Sequence, residues 1–483
     1  MSKTRTWSKY QSAIFNFIEN CTGNAIVEAV AGSGKSTTIV EGMSRLPSNL
    51  KSVFLAFNKA IATELKERGV DARTFHSLTY MPVMNFKKAK KVEMNKMYLL
   101  TDDIFTGEEN RMYGSFIRKL VGLAKQSGIG CLVPNTEAQW MAIIEHHDME
   151  LDDDEADLVT AILMAQKLLR ASNESPMVDF DDMLYLSVKE GLTLPKFDFI
   201  FVDEAQDTNA IQRAILRKIL KPSTRLIAVG DPSQAIYGFR GADSDSLDLI
   251  AKEFNCIKLP LTVSYRCPTS VVEHAHRWVQ NIEAAPDASE GSVTHLSNRW
   301  KTSMFKANDL VVCRTTAPLI ALAYRMMVDK VPFYVMGRDI GQGLNTLIDQ
   351  MKAKNIEFLV QKLEKWSVRE VEKAIAKKNE AKADAIRDKA NAITRLVESM
   401  PESKRTIPEL QRTISSLFEN RADATILATI HKSKGLESDN VYWLNSSQCP
   451  SKWAKTPWQI RQEHNLCYVA TTRAKKTLTM IEE

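Results

Sequence analysis

The chain has 483 residues, 44% apolar and 25% charged, with 64 basic groups against 59 acidic ones and a net charge of +5. That length exceeds a single hydrophobic core and implies roughly two to four domains of an ordinary globular protein. The small basic excess permits a polyanionic partner without demanding one. No stretch has the long uncharged apolar run of a membrane helix, and the start Met1-Ser2-Lys3-Thr4-Arg5 lacks a signal peptide's apolar core. No membrane partner and a cytoplasmic location, or nuclear or host-cell cytosol, are therefore expected. The seven cysteines (Cys21, Cys131, Cys256, Cys267, Cys313, Cys449, Cys467) form no Cys-x-x-Cys pair, which argues against zinc, iron–sulfur clusters and a disulfide framework.

In chain order, Trp7 to Phe15 opens a capped amphipathic helix with Ala13, Ile14, Phe17 and Ile18 on one face; Gln11, taken alone, is a surface glutamine. The apolar run Ala25-Ile26-Val27 then feeds Ala29-Val30-Ala31-Gly32-Ser33-Gly34-Lys35-Ser36-Thr37, a strand, a small glycine turn and a helix start. Such a turn points backbone N–H groups at an anion, the helix N-terminus adds positive charge, Lys35 reaches outer phosphates and Ser36 can ligate magnesium. The usual pattern has glycine at position 29, where alanine stands here. Ser52 to Phe57 is a buried strand, Asn58 begins a helix, and Thr74 to Leu78 follow a short extended segment. Alternating strands and helices imply a parallel sheet covered on both faces.

From about Tyr80 to Leu192 the pattern is helical. The run Lys87-Lys88-Ala89-Lys90-Lys91 either meets phosphates or is a solvated loop. Leu151 to Glu155 precede the periodic Leu158, Ile162, Leu163, Leu168 and Leu169, and their acids are expected to cap that helix rather than hold a metal. The sheet resumes with Phe197 to Val202, ending in Asp203 and Glu204. In a phosphate-loop protein an acid at that tip holds magnesium, and a second orients or deprotonates water. Strand Arg225 to Gly230 leads to Gln234, placed to sense a terminal phosphate or water, and to Tyr237 and Phe239, which either stack on a base or pack in a core. A second alternating region starts at Leu261. It holds strands at 309–314, 331–335, 424–430 and 440–444, a stretch from Leu344 to Met400 without glycine or proline, and a helix before Arg473.

In this order, Gln11, AGSGKST, FNKA, TFHSL, VDFDDML, VDEAQDT, GDPSQAIYGFRGAD, SYRCP, TIHKSKGLE and YVATTRA resemble the motifs of UvrD/Rep/PcrA superfamily 1A helicases across nearly the whole chain. The resemblance implies an α/β fold of two RecA-like parallel-sheet motor domains, each with a helical insertion. The expected boundaries are 1–80 with 193–262, insertion 81–192, then 263–340 with 421–483, and insertion 341–420. It implies ATP and Mg2+ as cofactors. Gln11 would read the adenine edge, Tyr265 would stack on it, Lys35 would hold outer phosphates, Ser36 and Asp203 would hold Mg2+, and Glu204 would be the base. Gln234, Arg266 and Arg473 would contact the terminal phosphate, and Gly435, Leu436 and Glu437 would approach the nucleotide. Phe57, Asn58, Thr74, His76, Tyr237, Phe239 and His431 would meet nucleic acid.

Phe239 stands where the family has tryptophan, Thr37 where relatives often have arginine, and Ser438 where phenylalanine is common. The second insertion is smaller than in larger bacterial relatives, and partner-binding tails and a nuclease domain are not expected. The implied activity is ATP-driven movement on single-stranded DNA, 3′-to-5′, with unwinding at single-strand/duplex junctions and with repair, replication or recombination proteins as partners. Two alternatives stay open: a translocase that strips proteins from DNA and unwinds little, and an ATP-gated binding module. DNA and RNA are not distinguished by these residues.

Overall fold

The computed structural model describes residues 6–147, 149, 151, 153, 155–238, 245–297, 300–376, 380–419, 421, 423–452, 454 and 456–482. The chain forms two compact units, Met1–Val30 with Gly34–Thr262 and Ala31–Ser33 with Val263–Glu483. The fold is mixed α/β with parallel sheets, as expected.

The first unit is built on β1 (Asn24–Ala29), β2 (Ser52–Leu55), β3 (Ala72–Arg73), β4 (Phe197–Val202), β5 (Leu220–Gly230) and β6 (Cys256–Leu261). They lie in the order β3-β2-β4-β5-β1-β6 and every neighbouring pair is parallel. Successive strand residues point to opposite faces. Accordingly Ile26, Val53, Ile200, Val202 and Ala228 join one buried cluster, while Ala25, Val27, Phe54, Phe201 and Val229 join another. Both faces are thus covered, which explains strands that read as continuous apolar runs. β5 begins before the expected Arg225 because the Thr224 hydroxyl, bonded to the Phe197 carbonyl at 2.6 Å, draws that stretch onto β4.

Helices α1 (Lys9–Asn20), α2 (Lys35–Ser44) and α3 (Lys59–Glu67) follow one another with β1 and β2 between them. In α1 the buried face is Gln11, Ile14, Phe15, Phe17 and Ile18. Ala13 is exposed, contrary to expectation, because one residue step turns the helix by about 100° away from Ile14. The expected helical stretch consists of α4 (Phe75–Lys87), α5 (Lys96–Ile104), α6 (Gly107–Ser127), α7 (Glu137–His146), α8 (Leu158–Glu174) and α9 (Phe180–Lys189). Its apolar residues share one cluster with a face of the sheet. The cap of α8 is Asp157, which accepts the Thr160 N–H at 2.8 Å; Asp152 and Asp154 lie outside the described residues. Leu163 is exposed rather than packed. Lys87 turns inward to the Asn173 carbonyl and Lys91 pairs with Glu93 at 3.4 Å, so the lysine run is not one free basic patch. Helices α10 (Ala210–Ile219) and α11 (Ser246–Glu253) complete the unit.

Beneath α9 lies a charged cluster with no counterpart in the sequence reading. Lys96 reaches Asp182 at 2.6 Å and the Ser172 carbonyl at 2.7 Å; Lys125 reaches Asp182 at 2.7 Å, Asp179 at 3.4 Å and the Ser172 hydroxyl at 3.0 Å. Burial works against the Asp182 carboxylate, but the two ammonium groups outweigh it and hold its pKa below the usual value. Asp181, next in the chain, has its pKa pushed up to about 6, chiefly by burial. A raised carboxyl pKa gives stability that is present in full below the unfolded value and is lost as pH rises through the folded one. Asp181→Asn is therefore expected to stabilise the protein at pH 7 and to leave it unchanged at pH 4, as read by denaturant unfolding at both pH values.

The second unit contains β7 (Val263–Ser264), α12 (Thr269–Ala275), β8 (Glu283–Ala284), β9 (Ser292–Ser297), β10 (Leu310–Cys313), α13 (Ala317–Val328) and β11 (Phe333–Val335). Helices α14 (Arg338–Met351), α15 (Ile356–Ala376), α16 (Glu380–Ser399) and α17 (Ile407–Leu417) follow, then β12 (Thr425–Thr429), β13 (Ser438–Leu444), α18 (Pro457–Thr471) and β14 (Ala474–Glu482). Its main sheet is parallel, ordered β11-β12-β10-β13-β14-β9. Val311, Cys313 and Leu427 share one core with α13 and with Leu359, Leu396 and Ile414 of the later helices. Cys449 and Cys467, distant in sequence, lie with their sulfurs 3.4 Å apart. Among the described residues no helix is long and apolar enough to cross a membrane.

Candidate active site

Parallel strands end on one edge, and β5 lies between β1 and β4, so the residues after all three meet there. After Ala29 and Val30, the Val30 N–H bonds to the Leu261 carbonyl at 3.0 Å. The chain then turns through Gly32 (φ 73°) and Gly34 (φ 77°), left-handed conformations that disfavour a side chain. Gly34 caps α2, which begins at Lys35 and carries Ser36 and Thr37 on its first turn. Gln11 is 2% exposed, contrary to its reading as a surface residue. Its oxygen accepts the Ser8 N–H at 3.0 Å, and its Nε2 donates to Thr38 Oγ1 at 2.9 Å; Thr38 in turn donates to the Gly34 carbonyl at 2.9 Å. Gln11 is thereby tied to the loop.

Lys35 Nζ lies 3.2 Å from Glu204 Oε1, and Ser36 Oγ donates to Asp203 Oδ2 at 3.3 Å. Burial opposes the Lys35 ammonium, but Glu204, Asp231 and Asp203 together outweigh it and hold the lysine above its usual pKa. Burial, followed by the Glu204 charge, pushes Asp203 up to about 6. Asp231 is also raised by burial, and it accepts from Gln234 Nε2 at 2.6 Å. Glu204 has φ 48° and ψ 41°, an uncommon conformation for a non-glycine residue and a frequent mark of functional sites. The donor set fits the expected ligands. Ser36 and Asp203 offer the hard oxygens that Mg2+ prefers. Lys35 is thus a buried cation facing three acids.

Within the second unit, Arg266 Nε meets Glu437 at 2.6 Å and its Nη1 donates to the Thr472 carbonyl at 3.3 Å. Arg473 is 1% exposed; its guanidinium donates to the carbonyls of Val469 and Leu436, both at 3.0 Å. Arg266, Glu437, Leu436 and Arg473 are thus brought together. Gly435 (φ 88°) makes the turn ahead of them, and Tyr265 is exposed beside Arg266.

Of the residues expected to meet nucleic acid, Phe57 and Tyr237 stack with ring centroids 6.0 Å apart and planes 11° from parallel. Phe57 is 46% exposed and Tyr237 is half-buried, so the Phe57 side of the pair lies at the surface. Asn58 caps α3 by accepting the Ile61 N–H at 2.9 Å, and Thr74 caps α4 in a reciprocal pair with Ser77. His76 sits edge-on to Phe180 at 5.7 Å, and burial lowers its pKa. His431 follows β12 in the second unit. Phe239 lies outside the described residues.

Residues 10–255, just over half of the chain, match the family model of the UvrD/REP helicase N-terminal domain. The chain belongs to the UvrD/REP helicase family. A probable DNA helicase II homolog of Mycoplasma pneumoniae is 26% identical over 310 residues, 56% of this chain and 42% of that protein. The ATP-dependent DNA helicase PcrA of Leuconostoc citreum is 23% identical over 307 residues, 56% of this chain and 39% of its own. F-box DNA helicase 1 of Gallus gallus is 26% identical over 495 residues, 94% of this chain and 47% of its own. The chain thus spans less than half the length of each of these three curated relatives.

For a UvrD/REP helicase chain read residue by residue, four participants in this geometry escaped the sequence reading as site residues: Thr38, Phe180, Gln206 and Asp231. Asp231 carried a signal, being a polar residue immediately beyond the apolar strand β5, and Gln206 lies in the polar turn four residues past the end of β4. Thr38 and Phe180 carried none, because their partners Gln11 and His76 are remote in sequence.

Proposed function

We propose that this UvrD/REP family member is an ATP hydrolase that moves along single-stranded DNA, 3′-to-5′, and unwinds duplex at single-strand junctions. The observation that carries the reading is the Lys35–Glu204 pair beside Ser36 and Asp203, a phosphate-binding cation and hydrolytic acids on one sheet edge. In this reading Ser36 and Asp203 would hold Mg2+, which when bound would supply neutralisation of phosphate charge. Lys35 exchanges Glu204 for the outer phosphates, and Glu204 takes a proton from the attacking water. Gln11 reads the adenine edge, Tyr265 stacks on it, and Gln234 senses the terminal phosphate. Arg266 and Arg473 complete the transition-state charge when the two motor domains, 1–80 with 193–262 and 263–340 with 421–483, close on the nucleotide. Arg266 must then leave Glu437, and Arg473 the Leu436 carbonyl, so the second unit also has exchangeable partners. Insertions 81–192 and 341–420 flank the motor domains.

The Phe57–Tyr237 platform supports single-strand binding, because stacking holds any base without sequence preference. His431, Asn58, Thr74, His76 and Phe239 are assigned to the same path, Asn58 and Thr74 through groups that their capping bonds leave over. Repair, replication or recombination proteins are the proposed partners. The test is ATP turnover with single-stranded DNA, RNA and no polymer, followed by strand displacement on a 3′-tailed duplex. Stimulation by DNA of about tenfold or more, with displacement that requires the tail, is expected. Equal turnover in all three conditions overturns the motor reading.

A further inference from the structure

Gln206 is 2% exposed, in the short turn Ala205–Asp207 that follows Glu204. Its Oε1 accepts the Asp231 N–H at 3.1 Å, and its Nε2 donates to Glu204 Oε2. A backbone N–H can only donate, so this bond fixes which end of the amide is oxygen and leaves the NH2 group facing Glu204. Gly230 makes the approach possible: a Cβ there would lie 2.3 Å from Gln206 Oε1 and 3.0 Å from the Gln206 backbone nitrogen. On the far side, the Asp231 carboxylate accepts from Gln234 Nε2 at 2.6 Å and from the Ser233 N–H at 3.0 Å. A continuous chain Gln234–Asp231–Gln206–Glu204 therefore runs from the tip of β5 to the tip of β4.

The two oxygens of Glu204 are consequently unlike. Oε2 is held by Gln206, and Oε1 faces Lys35. We propose that Gln206 is a positioning residue for hydrolysis: it pins Oε2 so that Oε1 points at the attacking water once Lys35 turns to the phosphates. It also conveys movement of the Gln234 turn to that carboxylate. In the step it serves, the water oxygen bonds to the terminal phosphorus and the water proton passes to Glu204 Oε1. The bridging P–O bond breaks, with its electron pair going to the departing diphosphate.

This inference rests on the ATP-hydrolase reading above. It is tested in the full chain with Gln206→Met, which keeps the side-chain length without the amide, and with Gly230→Ala, which displaces the amide without altering it. On saturating single-stranded DNA, kcat per folded molecule is expected to fall about tenfold or more in both variants, while KM for ATP stays within about twofold. A purely structural role would lower the folded fraction and leave kcat per folded molecule in place. If Gln206→Met does not fold, Gly230→Ala decides alone. Hydrolysis by the unaltered chain together with kcat within about twofold in the variants overturns the inference by itself. No hydrolysis by the unaltered chain on any polymer overturns the underlying reading and the inference with it.

Discussion

Lys35→Ala is expected to reduce DNA-stimulated ATP hydrolysis by about 10³-fold or more, equivalent to ~4 kcal/mol of transition-state stabilisation. Two effects act in the same direction. The outer phosphates lose their cation in a buried site where charge is weakly screened. In addition, Glu204, Asp203 and Asp231 lose the ammonium that all three face, and their mutual repulsion then favours protonation of acids that must stay ionised. Lys35→Arg should not restore turnover, because a planar fork does not replace a compact ammonium in so tight a loop. The measurement is phosphate release at saturating single-stranded DNA. Undiminished release in Lys35→Ala would place hydrolysis somewhere other than the edge of the first sheet.

The second large effect concerns stability. Asp182→Asn is expected to destabilise the protein by about 3–5 kcal/mol, the range for removing one partner of a buried ion pair. Asp182 is the carboxylate that Lys96 and Lys125 share, and all three side chains are at most 1% exposed. Asp182 also accepts the Asp179 N–H at 2.9 Å as half of the box that starts α9, so one substitution strands Lys96, leaves Lys125 the longer pair to Asp179 at 3.4 Å, and loosens a helix end. A triple variant, Lys96→Met with Lys125→Met and Asp182→Leu, should recover part of the loss, since it removes both ammonium groups that lose Asp182, while Asp179 gives up Lys125 but keeps the N–H of residue 182. Denaturant unfolding of the single and triple variants checks both statements. Equal stability of Asp182→Asn and the unaltered chain would show that water reaches the cluster.

What the sequence by itself determined was the local order: apolar runs that become parallel strands, a glycine turn ending in Lys35-Ser36, acids just beyond Val202, and motifs in a sequence that names a helicase family. These are legible because strand burial, turn geometry and helix starts depend on residues within a few positions of one another. The helical character of 81–192 was legible for the same reason, though the exposed Ala13 and Leu163 show that periodicity locates a face only to within a residue or so. What only the tertiary structure decided was which polar group meets which. Gln11 is buried because Thr38 stands opposite it, Asp182 is shared because α5 and α6 both present a lysine to α9, and Phe57 has a platform because the chain returns with Tyr237. Gln206 reaches Asp231 because β4 and β5 are neighbours with a glycine at the crossing. Such pairings depend on strand register and helix packing at the scale of an ångström, and the burial that shifts Asp203 and Asp181 comes from neighbours remote in the chain. Local spacing carries no information at that range.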